Sequence, residues 1–254
     1  MLARYRSFVV PLAIIAAGIL FYMENPWFFP ADGSTERTIA TVAFWVLAIV
    51  VVVLMFEDRH SADAQIVDVE GPAFTRYLFS NTRAGLFWLP IRIFLSFEWI
   101  EAGWHKLTGT GWVDGGSALL GFWQGAVKIP DAPARPSITF EWYRGFLQLL
   151  IDNHAQGWFG WLITLGELAV GIGLLVGALV GIAAFFGALM NMSFLLAGSA
   201  SVNPILFTFE VGLMLAWKVA GYYGVDRYLL PMLGVPWRSK VGTRVGQPGT
   251  ASAS

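Results

Sequence analysis

The chain has 254 residues, of which 56% are hydrophobic and only 13% charged, with a formal net charge of -1. Soluble domains carry about 25% charged residues, so this composition excludes both a single soluble domain and a disordered chain. A near-neutral balance gives no electrostatic case for nucleic acid, and the complete lack of cysteine excludes a disulfide, a thiolate nucleophile, a cysteine-ligated iron–sulfur cluster and a covalent c-type haem.

A mean hydropathy of +0.62, with 20 Phe and 12 Trp, leads us to expect an all-α integral membrane protein, because aromatic side chains favour bilayer interfaces. Six apolar stretches follow one another. Phe8–Tyr22 comes after Arg4 and Arg6 and is read as a retained helix, since Glu24-Asn25-Pro26-Trp27 follows it in place of a small-residue cleavage site. Thr38–Phe56 carries no charge and is the clearest span. Ala84–Trp104 is long enough to span but contains Arg92, Glu98 and Glu101. Gly157–Ala197 would make a single helix about 60 Å long, twice the hydrocarbon thickness. It must therefore fold back, and Gly177-Ala178-Leu179-Val180-Gly181 is the predicted hairpin. The sixth span runs from Pro204 to Tyr222 or Tyr223.

This division predicts two N-terminal transmembrane helices within 1–56, an acidic cytoplasmic loop over 57–83, a helical core over 84–231 and a flexible tail over 232–254. With both termini cytoplasmic, more of the Lys and Arg side chains fall inside than outside. That is the arrangement expected of a multi-pass protein of the inner (plasma) membrane. The outer connection, about 105–156, holds Trp112, Trp123, Trp142 and Tyr143 and two helix-like pieces, Ser117–Val127 and Ile138–Asn153. Three prolines, Pro130, Pro133 and Pro136, separate those pieces. So aromatic a loop is expected to lie in the headgroup layer or to cap the bundle mouth.

An ionisable group inside a span costs several kcal/mol unless it is paired or faces a polar cavity, so each one is a candidate site. Glu98, Glu101 and His105 stand at i, i+3 and i+7 on one helical face, with Arg92 on the side opposite Glu101. Counting from the span ends puts Glu98, Glu101, Glu167, Asn191 and Glu210 at similar depth, beneath the aromatic loop. Lys106 closes the outer end, and Trp99 and Trp104 flank the carboxylates. Six glycines, Gly166, Gly171, Gly173, Gly177, Gly181 and Gly187, read as close-packing positions between helices. No metal is expected, because the Glu-x-x-His pair of carboxylate-bridged di-iron bundles is missing.

The segment Arg92…Glu101-Ala102-Gly103-Trp104-His105-Lys106-Leu107-Thr108-Gly109 resembles the Arg-bearing helix of the DoxX/DoxD family of small membrane proteins. Further resemblance lies in Gly166-Glu167-Leu168…Gly171-Ile172-Gly173, in Ala188-Leu189-Met190…Asn203-Pro204, and in Gly224-Val225-Asp226-Arg227. The stretch covered runs from about Leu89 to Pro231. The resemblance implies a four-helix DoxX-like bundle, to which the two N-terminal helices are additions. It also implies likeness to the membrane subunit of thiosulfate:quinone oxidoreductase, and a quinone as the bound redox molecule. Glu98, Glu101, His105 and Glu167 would then be catalytic. Arg92, Lys106, Trp99, Trp104, Asn191 and Glu210 would bind substrate, with Arg144 a further countercharge for an anion. A non-catalytic membrane subunit that docks a redox or oxidative-stress enzyme is the alternative, and a small anion transporter is a third.

Overall fold

The computed structural model describes residues 11–12, 14–16, 18–19, 35–58, 71–131 and 133–237. The chain divides into two compact units, Met1–Glu70 and Gly71–Ser254. In the first unit, the described residues between 11 and 19 are helical, and Thr35–Asp58 forms α1. Its apolar stretch Thr38–Val53 exposes Ile39, Val42, Trp45 and Ile49. The acidic segment 59–70, the tail from 238 and the remainder of the first expected span lie outside the described residues.

The second unit opens with α2 (Ala73–Ser80) and a 3-10 turn, Thr82–Ala84, within what was expected to be a solvated loop. The helix forms there because Leu78 and Phe79 have a core to pack against, and Trp88 Nε1 donates to Leu78 O at 2.8 Å. Next come α3 (Gly85–Thr108), α4 (Ser117–Val127), α5 (Glu141–Asp152), α6 (Gln156–Val176) and α7 (Val180–Leu196). The described part closes with α8 (Asn203–Leu215), α9 (Trp217–Ala220) and α10 (Asp226–Met232). Every described element of regular structure is helical.

Four helices form the bundle: α3 lies along α6, α7 along α8, and the ring closes through α6–α7 and α3–α8. Glycine permits the close approach of α3 and α6. A Cβ on Gly103 would meet Leu168, and one on Gly171 would meet Ile100. The long apolar run is cut within the predicted pentapeptide, where Gly177 (φ 69) and Leu179 (φ 50) take left-handed conformations and reverse the chain. The expected sixth helix is broken. Ala216 (φ -88, ψ 12) separates α8 from α9, and Trp217 packs on Gly181 of α7.

This unit holds a few buried polar side chains within an apolar core and exposes many large apolar ones. Arg92, Ser96, Thr164, Glu167, Asn191, Glu210 and Asp226 are buried. Phe87, Phe94, Phe97, Leu165, Ile172, Phe185, Phe186 and Leu189 are exposed. Among the described residues, α6 alone is long and apolar enough to cross a membrane by itself, and α7 and α8 are apolar but shorter. The expected third span, α3, has the length, but its charged side chains take it out of that class.

The connection between α3 and α6 folds back on one end of the bundle. Leu119 and Trp123 of α4, Tyr143 and Leu147 of α5, Ile163 of α6 and Ala197 make a second core there. Tyr143 Oη donates to Ser193 O of α7 at 2.8 Å, tying this cap to the bundle.

Candidate functional site

The buried stripe of α3 is Arg92, Leu95, Trp99 and Gly103, and it continues to the half-buried Lys106. Helical geometry then turns Glu101 and His105 the other way, since they lie across the helix from Arg92. Their side chains are 73% and 78% exposed, with His105 Nε2 3.9 Å from Glu101 Oε1. Trp104 is exposed beside them. The polar face expected to point inward thus divides: Glu98 stays half-buried at the cleft described below, while Glu101, Trp104 and His105 stand outside it. The spacing fixed which residues share a face, and packing against α6 decided which face is covered.

Three polar groups meet deep in the bundle. Glu210 of α8 accepts a hydrogen bond from Trp99 Nε1 at Oε1 (2.7 Å) and one from Asn191 Nδ2 at Oε2 (2.7 Å). Gly187 of α7 makes the room, for a Cβ there would collide with Glu210 Oε1. Among the described residues Asn191 Oδ1 has no hydrogen-bond partner, although the side chain is buried. A buried amide oxygen in that condition is uncommon and calls for a reason.

Glu167 of α6 is held by Lys106, whose Nζ lies 2.9 and 2.8 Å from its two oxygens. Glu167 is 1% exposed and Lys106 16%. The ammonium also sits 4.8 Å from the centre of the Trp112 ring, which screens it from the loop side.

Lys106, Glu167 and Asn191 share a cleft of about 1210 Å³. Its walls follow α6 and α7 from their hairpin at Ala178 to Phe194, and α4 and α5 close it with Trp123, Phe122 and Tyr143. Most of that surface is apolar or aromatic, the usual form of a site for a flat organic molecule, with few polar groups to fix its orientation. Trp99 and Glu98 also line it.

Arg92 sits elsewhere. Its guanidinium donates to Ala220 O (3.4 Å) and Tyr223 O (3.2 Å), wedged between Gly177 and Gly224. Asp226, nearby, accepts from Leu179 N (2.6 Å) and Val180 N (2.9 Å), the first amides of α7. Burial pushes the Asp226 carboxyl above its ordinary range, against the opposing pull of those two amides and Arg92. This polar group joins the α6–α7 hairpin to the turn before α10, and no residue of it other than Leu179, Val176 and Ala178 at the hairpin touches the cleft. Arg144, the other expected countercharge, pairs with Glu141 and donates to Ile138 O at 2.6 Å within the cap.

Spacing alone had no means of finding the Glu210–Asn191–Trp99 group, because its members come from three helices. The only sequence signal was the similar depth of Glu210 and Asn191. Asp226 stood out along the chain only within the segment Gly224-Val225-Asp226-Arg227, with no role attached to it. No protein-family model, curated protein or solved structure matches the chain.

Proposed function

We propose that this is a multi-pass inner-membrane protein of the DoxX/DoxD kind whose cleft binds a quinone, as the membrane subunit of a quinone-linked oxidoreductase. Support for the membrane setting comes from the exposed Phe and Leu side chains of α3, α6 and α7 around a core in which Arg92, Glu167 and Glu210 are buried. Soluble monomers rarely expose apolar patches beyond a few hundred Å², whereas ionisable groups in membrane bundles face the bundle interior.

The observation that carries the functional reading is the cleft, with an apolar and aromatic wall and a polar end formed by Lys106–Glu167 and Asn191. A quinone head needs a greasy entrance, a donor for a ring oxygen and an acid or base within reach. Lys106 supplies a third N–H beyond the two directed at Glu167, and Glu167 is the adjoining carboxylate. Reduction of a quinone takes two electrons and two protons, and coupling of two thiosulfate ions to tetrathionate releases two electrons. With no cysteine in the chain, no cysteine-bound cluster relays them, so they pass to the ring directly or from a second redox subunit.

The purified protein given decylubiquinone and thiosulfate is expected to reduce the quinone, with Lys106→Ala and Glu167→Gln each lowering turnover at least tenfold. Absence of turnover, together with absence of quinone in a solvent extract of protein taken from native membranes, overturns this reading.

A second reading, a docking subunit for a redox enzyme, draws on the exposed Glu101, Trp104 and His105. Polar groups on the outer surface of an otherwise apolar helix are costly in lipid and inexpensive against a partner. A co-purifying protein lost in a Glu101→Ala/His105→Ala variant would favour it.

A further inference from the structure

The cleft changes character along its length. At the end under α4 and α5 its lining is buried, and Leu119, Trp123, Tyr143 and Leu147 stand there with the Lys106–Glu167 pair. Toward the α6–α7 hairpin the lining is exposed, at Val176, Ile182, Phe186 and Leu189. This open stretch follows the seam between α6 and α7, which approach at Gly173, whose Cβ position lies 3.4 Å from Ala183. Gly166, Ala169 and Gly173 of α6 keep the seam concave, because side chains this small leave room. From Ile182 to Phe194 the α7 wall is about 18 Å long at the rise of an α-helix. The whole cleft holds about 1210 Å³, more than the roughly 300–1,000 Å³ of an ordinary small-molecule pocket. A single ring at the polar end leaves most of that space unfilled.

We infer that the α6–α7 seam is a subsite for a long apolar chain, the isoprenoid tail of a prenylquinone whose ring lies in the closed end beside Lys106. The inference deepens the reading of this cleft as a quinone site and rests on it. It adds that the tail is recognised as well as the ring, and that the ligand enters sideways from the membrane. Closure by α4 and α5 at one end and an apolar opening along the seam favour that route over one from water. Lipid tails are as apolar as the seam, so leaving lipid gives the chain no hydrophobic gain. Its contribution is close contact with the walls, small for each atom and accumulating along the chain. Binding should therefore tighten with each isoprene unit that the seam covers, and stop tightening beyond its length.

One position separates the tail from the ring. Ala169 is exposed in the seam, a turn beyond Gly166 toward the hairpin, so a larger side chain there fills the groove without entering the core. Ala169→Phe blocks the path of the tail and leaves Lys106 and Glu167 in place. Leu165→Phe, on the exposed face of α6 away from the cleft, is the control.

The test uses the full chain in phosphatidylcholine nanodiscs, where every probe resides in the bilayer and its concentration is counted per lipid. Binding is read as saturable quenching of tryptophan fluorescence. The probes are ubiquinones with one, two or four isoprene units, and a fatty acid brominated in mid-chain. The wild-type chain is expected to bind the four-unit quinone at least about fivefold tighter than the one-unit quinone. Ala169→Phe, checked for wild-type elution and melting, should keep the one-unit affinity and lose the four-unit advantage, while Leu165→Phe changes neither. Equal affinity along the series in the wild-type chain overturns the tail subsite and leaves the quinone reading standing. An advantage that survives Ala169→Phe, or that Leu165→Phe abolishes as well, does the same. If only the brominated fatty acid binds, and Ala169→Phe abolishes it, the chain subsite stands with a lipid as its occupant and the quinone reading falls. Saturable binding of none of the probes overturns both.

Discussion

Lys106 and Glu167 stand 61 residues apart in sequence, on α3 and α6, and meet with both carboxylate oxygens within 2.9 Å of one ammonium. The pair ties together the two helices that pack most closely, at the polar end of the cleft. A charge this deep is tolerated only in company, and removing one partner leaves the other uncompensated. Lys106→Ala or Glu167→Ala should each cost about 3–5 kcal/mol, seen as a lower melting temperature in detergent. The double substitution Lys106→Met/Glu167→Leu should cost clearly less than the two single losses added together. A double variant as unstable as the sum of the singles would show that the two side chains act independently.

Gly177 should tolerate no side chain. It holds a left-handed conformation (φ 69), and a Cβ there would enter the space of the Arg92 guanidinium. Gly177→Ala carries about 1–2 kcal/mol of backbone strain on top of that collision. Combining it with Arg92→Ala should not restore stability, because the carbonyls of Ala220 and Tyr223 then lose their donor. Thermal melts of the three variants decide the point.

Asp226 behaves as a remote cap for α7. Its carboxylate serves the amides of Leu179 and Val180, which a helix start leaves unsatisfied. Asp226→Ala should destabilise by about 0.5–2 kcal/mol and raise amide hydrogen exchange at the α6–α7 hairpin. Asp226→Asn, which keeps one acceptor, should do less of both. Unchanged exchange in Asp226→Ala would remove this role.

The cap should loosen without unfolding the bundle. Tyr143→Phe deletes the hydroxyl that reaches Ser193 O, at about 1 kcal/mol for a single hydrogen bond. Faster exchange or proteolysis confined to the stretch 117–152, with the melting of α3 and α6 unchanged, is the expected result. A global drop in stability would instead make the cap part of the bundle's folding unit.

Much of the architecture was legible along the chain. A 41-residue apolar run had to reverse, and the glycine-bounded pentapeptide Gly177–Gly181 near its middle holds the observed turn at Gly177–Leu179. The piece Ser117–Val127 between glycine and proline signals has the bounds of α4. The aromatic loop needed something to cover, and it covers the end of the bundle. Local limits set these features: length, breakers and apolar load act within a few residues of where they are read.

The facing of α3 was not legible. Periodicity put Glu98, Glu101 and His105 on one face and Arg92 across from Glu101, and the structure keeps Glu101 beside His105 while Glu98 turns to the cleft. Yet the covered side is the one with Trp99 and Gly103, because Gly103 and Gly171 let α6 approach there. Two helical faces with comparable polar content cannot be ranked until a partner helix arrives.

The opening composition determined that charges would be few and helices many, and the positions of those few charges along the chain were fixed with it. Only the tertiary structure decided their company: Lys106 with Glu167, Glu210 with Trp99 and Asn191, Arg92 with the carbonyls before α10. The reason is physical. Spacing within one helix is set by its own geometry, whereas a buried polar group is stable only with a partner, and these partners lie 19 to 131 residues away.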